Sequence, residues 1–513
     1  MAPLQVTTAI LVTDHRVTWE QHSADKTAFK IKSYTLQVPV GYDDDSRWWG
    51  HYLQLQCNVV CGRENDGKDV GIEELATKKR GLVLYLCGGP GSENPAAECD
   101  AINNYFLDMG FYPFYMDYRG CGQSTPFTRA SMNAFTGPEE AADYLTNFNF
   151  RDIARDFEAA RRWASDKAGQ NIKWHALGQS YGGWIAYSGV SYYPDGWEHV
   201  MTSGGTPPVF RGPDEVYLET YQSVIRRNDE FYDAYPQARR MVKELVRFLH
   251  VDRGDGLALP GGGRLTAQRF MGLGRGFGRA GGLAEVYGLV AKMHRELRSE
   301  GFRDFEDATL EALVASSIKY DTRPLYAVLH EAIYCSGRAS HWSAARVGLT
   351  RFADKYWWVG DEGFRGCNLE FEGQLYFSGE HVFPWVFDAY AGLGDDLKEV
   401  ANILARHEWP PGFDEEQLTE KNQVRITSIV FEKDMYVSPR LSRETSGNIP
   451  CLESIWDSEH FHAAIKDPEN GPDVLQQLLG FGGREASQFQ ESALGELQRR
   501  TGTVGSPRAK RSN

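Results

Sequence analysis

One pentapeptide limits this chain more than any other stretch: Gly178-Gln179-Ser180-Tyr181-Gly182, with the G-x-S-x-G spacing and the flanks that spacing needs. Upstream, Ile172-Lys173-Trp174-His175-Ala176-Leu177 reads as a short strand. Downstream, Gly183 to Val190 reads as a helix of small and apolar residues. A serine on so tight a strand-to-helix turn has a strained backbone, so neighbouring glycines remove Cβ clashes and lift Oγ clear of the sheet edge. The following helix aims its positive N-terminus at the same point, which favours a developing negative charge. The bare pattern also fits a plain glycine-rich turn; the flanking strand and helix are what make Ser180 a candidate nucleophile.

Two further segments fit the same chemistry. The buried-strand run Gly81-Leu82-Val83-Leu84-Tyr85-Leu86 ends in Cys87-Gly88-Gly89-Pro90-Gly91. Acyl transfer needs two backbone N–H donors at the oxyanion, one after the nucleophile and one from the loop after an earlier strand. Tyr181 would supply the first and Gly89 (or Gly88) the second, whereas Pro90 stiffens the loop but cannot donate. An ordinary β-turn is the alternative for this loop. The apolar strand Phe111 to Met116 leads into Asp117-Tyr118-Arg119-Gly120-Cys121-Gly122-Gln123-Ser124, in which Arg119 and Asp117 read as loop braces.

GGPG, then DYRGCGQS, then GQSYGG, in this order and spacing, resembles the proline iminopeptidase (prolyl aminopeptidase) branch of the α/β-hydrolase superfamily, in its longer-chain form. The resemblance runs from about residue 35 to about residue 465. It includes Asp214-Glu215-Val216-Tyr217, Leu325 to Glu331, and Asp434-Met435-Tyr436-Val437. The serine motif alone is superfamily-wide; the GGPG loop and the later phrases narrow it. The chain departs from the pattern at Cys87, where many relatives carry histidine or glutamine, and beyond about residue 470.

In this fold the acid and the histidine follow the serine on loops after late strands. Gln423 to Phe431 is the best late strand, and its exit carries Glu432, Lys433 and Asp434. The resemblance favours Asp434, which precedes Met435-Tyr436-Val437 as the family's acid does, over Glu432. Cys451 to Trp456 leads to Asp457-Ser458-Glu459-His460-Phe461-His462. The family's Glu-His pair matches Glu459-His460, which makes His460 the expected base. His462, two residues on, is the alternative.

The 513 residues suit a hydrolase core plus an inserted lid. The expected fold class is α/β: an α/β-hydrolase fold with a mostly parallel sheet and a largely helical cap. Residues 1–208 read as the first part of the core, 209–400 as the cap, 401–482 as the rest of the core and 483–513 as a polar tail. A net charge of −15 argues against nucleic-acid or anionic-membrane partners. No apolar run reaches eighteen residues, and Met1 to Ala9 lacks the blocks of a signal peptide, so the expected location is cytoplasmic. Eight scattered cysteines form neither a disulfide framework nor a metal site; neither metal nor cofactor is expected. Gly276-Phe277-Gly278-Arg279-Ala280-Gly281 fits the dinucleotide spacing G-x-G-x-x-G, but it follows a helical run and not a strand, and reads as a helix connection.

An exopeptidase must bind a free amino terminus, and an ammonium in a dry pocket needs carboxylates. The resemblance implies that the cap supplies them. Glu331 and Glu380, each among aromatic and apolar neighbours, are the candidates, with a salt bridge inside the cap as the alternative for each. Tyr334, Trp342, Phe383 and Trp385 could wall a pyrrolidine pocket or belong to the core. The resemblance thus implies a serine exopeptidase acting on peptides with a free N-terminal proline. The rivals are an esterase or biosynthetic tailoring hydrolase with the same triad, and a catalytically idle binding protein.

Overall fold

The computed structural model describes residues 4, 6–14, 18–20, 28–63, 71–78, 80–94, 96–254, 256–365 and 373–480. The polar tail expected at 483–513 lies outside the described residues. A single ten-stranded sheet runs through β1 (Ile10–Asp14), β2 (Thr18–Glu20), β3 (Phe29–Pro39), β4 (Tyr52–Arg63), β5 (Leu82–Leu86), β6 (Tyr112–Met116), β7 (Trp174–Gln179), β8 (Trp197–Ser203), β9 (Arg425–Phe431) and β10 (Leu452–Asp457). Its order is β1-β3-β4-β6-β5-β7-β8-β9-β10, with β2 also on β3. Pairing is antiparallel from β1 to β6 and parallel from β6 to β10. This is the α/β-hydrolase arrangement expected from the sequence. The short strands β1 and β2 were not foreseen.

The parallel strands carry apolar runs because helices cover both sheet faces; every residue of β5 and β6 is buried. The helix Phe150–Ala168 shows how local sequence fixes an element. The Asn149 side chain accepts the Asp152 amide proton at its start, and Gly169 ends it at φ 65°, where a Cβ would be disfavoured. From its inner face, Asp156 pairs with Arg119 through bonds of 2.6 and 2.8 Å. Arg119 also donates to the carbonyls of Pro39, Val40 and Asn147, so it ties three loops together as a brace. Asp117 accepts the amides of Asn94 and Gln123 in the same way.

Between β8 and β9 the chain leaves the sheet and is mainly helical among the described residues, from Pro213–Ala234 to Asp395–Arg406, with a two-stranded hairpin at Leu257–Ala258 and Arg264–Leu265. The GxGxxG run starts inside a 3-10 turn, Gly272–Gly278, that continues the helix Ala267–Met271. The helix, and not the short antiparallel strand Arg264–Leu265, leads directly into it, so it has no βαβ setting.

Candidate active site

Ser180 joins β7 to the helix Tyr181–Tyr192 with φ 54° and ψ −123°, a conformation that a non-glycine residue occupies only under strain. Its amide donates to Ser203 and its carbonyl accepts from Gly183, which pins the turn to the end of β8. The glycines are there for close approach: a Cβ on Gly182 would overlap the Leu86 carbonyl, and one on Gly183 the Gly205 carbonyl.

The GGPG loop lies over this turn. A Cβ built on Gly88 would be 3.2 Å from Ser180 Cβ, and one on Gly89 3.3 Å from the Tyr181 ring. Gly88 already gives its amide to Gln179 Oε1. That leaves Gly89, with Tyr181 at the helix N-terminus, as the candidate oxyanion donors. The Gly89–Pro90 peptide is cis.

Asp434 is buried in the turn after β9, where Oδ1 accepts the amides of Tyr436 and Val437 and Oδ2 lies 2.6 Å from His462 Nδ1. The expectation for His460 requires correction. Its Nδ1 lies 2.7 Å from Asp457 Oδ2, and Asp457 Oδ1 accepts the amides of Glu459 and His460. The segment therefore turns back on the end of β10 instead of running extended. The turn commits His460 to Asp457 and carries His462 round to Asp434.

The adjacent residues Gly204 and Gly205 link this pair to the serine. A Cβ on Gly204 would sit 2.8 Å from His462 Nδ1 and 3.4 Å from Asp434 Oδ2. One on Gly205 would sit 2.9 Å from the Ser180 carbonyl and 3.2 Å from its amide. Burial alone would lower the His462 pKa, but the Asp434 charge and hydrogen bond, with the Glu380 charge, more than offset it and the pKa is raised.

The two candidate amine-binding carboxylates have different surroundings. Glu331 is buried and accepts the amides of Ser343 and Ala344, one on each oxygen, at the start of the helix Ser343–Arg351. It caps that helix. Burial lifts its pKa to about 7 against the pull of those amides. Glu380 sits close enough to His462 to act on its charge. Its Oε1 takes Arg275 (3.0 and 2.9 Å) and the Tyr326 hydroxyl, while Oε2 has no hydrogen-bond partner among the described residues. Burial would raise the Glu380 pKa, but Arg275, His330 and Tyr326 hold it down at about 2.

Of the four aromatic candidates, Tyr334 alone lies by the acid's turn, where it lines an apolar cavity with Trp184, Val216, Tyr436 and Val437. Trp342 packs on Phe387 and bonds Asn402, while Phe383 and Trp385 stack on each other. Arg275, Tyr326 and Tyr436 escaped the sequence reading as site residues. Arg275 and Glu380 are 105 positions apart, and nothing local to either announces the other.

A profile described as the alpha/beta hydrolase fold matches residues 81–253, which with the sheet order defines the class as the α/β-hydrolase fold. A proline iminopeptidase from Aeromonas sobria is 33% identical over 408 residues, 77% of this chain and 86% of its own length. One from Aspergillus aculeatus is 31% identical over 386 residues, 75% of this chain and 81% of its own. The chain belongs to the proline iminopeptidase family. A solved proline iminopeptidase from Mycobacterium smegmatis aligns over 90% of this chain and 99% of its own at 14% identity and TM-score 0.34, too loose a match to bear on the site.

Proposed function

We propose that this protein is a serine aminopeptidase that releases N-terminal proline from peptides. The observation that carries the chemistry is the buried Asp434–His462 pair packed against Gly204, next in sequence to the glycine that packs on Ser180. In the proposed reaction His462 accepts the Ser180 proton as Oγ attacks the prolyl carbonyl. Asp434 holds the imidazole by Nδ1 and stabilises its charged form. The amides of Tyr181 and Gly89 receive the oxyanion. His462 then protonates the leaving amine, and water resolves the acyl-enzyme.

The substrate class rests on family membership together with Glu380. Its Oε2, without a hydrogen-bond partner among the described residues and on a carboxylate whose charge acts on His462, is suited to hold the secondary ammonium of an N-terminal proline, while Arg275 and Tyr326 fix Oε1. Glu331 has both oxygens engaged and is left a structural role. The helical segment 209–400 would act as the cap that supplies this anchor and limits attack to the first residue.

The test is product analysis on N-terminally varied peptides and aminoacyl arylamides, with short acyl esters alongside. Proline release should dominate, and Ser180→Ala should leave a folded protein without turnover. Preferential cleavage of the acyl esters would instead support the esterase reading, and full turnover by Ser180→Ala would remove the triad.

A further inference from the structure

The glycine-rich run 272–281 makes contact with both members of the acid–base pair through intermediaries. Tyr436 is the first. Its amide donates to Asp434 Oδ1 at 2.8 Å, and its ring stands edge-on to His462 with centroids 5.0 Å apart. Its hydroxyl donates to the Arg275 carbonyl at 2.6 Å, so a cap backbone atom fixes the far end of the ring. Gly278 makes room for it. A Cβ there would lie 2.6 Å from the Tyr436 hydroxyl and closer still to the ring carbons.

Phe461 is the second intermediary. It immediately precedes His462, and two cations lie over its ring: the Arg227 guanidinium at 5.2 Å and Lys433 Nζ at 5.7 Å. Arg227 is itself fixed by two bonds, 3.0 and 2.8 Å, to the Phe277 carbonyl. Lys433 immediately precedes Asp434. The Phe277 side chain packs between Phe231 and Phe377 in the cap interior, which anchors the turn from behind. The last four residues of one short turn thus supply two carbonyls and one missing side chain to the elements beside the acid and the base.

We infer that the cap turn Gly272–Gly278 positions the Asp434–His462 pair for catalysis, acting through Tyr436 and Phe461; this rests on the triad reading above. The residues touch no reacting atom, so they are positioning residues. Cap and core are thereby coupled: a cap displaced from the core would leave the imidazole without its edge contact and its neighbour without its clamp.

Steady-state kinetics on proline 4-nitroanilide test this in the full chain. Gly278→Ala should lower kcat by about 100-fold, the cost of a displacement near 1 Å, with KM changed by less than about 3-fold. In a Tyr436→Leu background the same substitution should cost nothing further. Tyr436→Phe, which keeps the ring and loses only the tie to Arg275, should lower kcat by about 3- to 10-fold at unchanged KM; it carries the test if Gly278→Ala fails to fold. Wild-type kcat in Tyr436→Phe, or in a folded Gly278→Ala, would overturn the inference. His462→Ala is the control that separates the two claims. If it abolishes turnover while those variants keep wild-type kcat, only the positioning role falls; if turnover survives it, the triad reading falls first.

Discussion

His462 Nδ1 lies 2.6 Å from Asp434 Oδ2, across 28 positions of sequence, while His460 two residues earlier bonds Asp457 at the end of its own strand. The two imidazoles are thereby sorted into a long-range pair, linked to Ser180 through Gly204 and Gly205, and a local turn. Asp434 has its second oxygen filled by two backbone amides, so it presents Oδ2 to the ring in one fixed direction. That is the arrangement which holds a tautomer and steadies an imidazolium.

Replacing the two histidines separately should give very different enzymes. His462→Ala is expected to lower kcat by at least about 1,000-fold, and His460→Ala by no more than about 5-fold. The check is turnover of proline 4-nitroanilide by purified, folded variants. Comparable losses for both would mean that the local turn, and not the Asp434 contact, matters to catalysis.

The pH profile should carry the signature of the site's charges. His462 must be neutral to accept the Ser180 proton, so kcat/KM rises with pH through its pKa. The groups that bear on it are Asp434 and Glu380, which raise that pKa, and Arg275, which lowers it, against a burial effect that also lowers it. The Tyr436 ring faces it as well. The acid limb should therefore lie above the ordinary imidazole value of about 6.5. Glu380→Gln removes a raising charge and leaves Arg275, so the limb should move to lower pH. A limb that stays in place would separate Glu380 from His462.

The same variant tests amine recognition by a different readout. Glu380→Gln should raise KM for free-amine substrates by about 10-fold or more, as expected on losing a charge-assisted bond. N-acetylated esters should be affected far less. Equal losses on both substrate types would count against an ammonium at Oε2.

Glu331 should register in stability and not in substrate choice. Its pKa rises from 4.5 to about 7 in the folded protein, so between those values the native state holds more protons than the unfolded one. Stability contributed by the protonated form is present below the lower value and lost as pH rises through the upper one. Over that window the loss is on the order of 3 kcal/mol. The Tm of Glu331→Gln relative to the parent should therefore be higher at pH 8 than at pH 5. An identical difference at both would contradict the assignment.

Legibility in the sequence followed the range of the interactions. The turn at Ser180 is readable because its strain is met by its own glycines, and the main strands because apolar runs between helices imply a covered parallel sheet. Asp434 followed from its place after a strong strand together with the family phrase. The family's Glu-His pair points to His460, whereas the backbone direction over three residues is what brings His462, and not His460, to Asp434. The available clue was Asp457 three positions before His460, a spacing that lets an aspartate cap its own turn and draw the histidine in. The cap contacts were not readable at all. Arg275 meets Glu380, and Gly278 meets Tyr436, only through the packing of segments more than 100 residues apart.

The most direct measurement of the central claim is labelling by a fluorophosphonate, read by intact mass and peptide mapping. The account predicts a single adduct, carried on Ser180, forming at least about 1,000 times more slowly in His462→Ala and at a near-parental rate in His460→Ala. An adduct on another residue, or equally rapid labelling of Ser180 without His462, would contradict it.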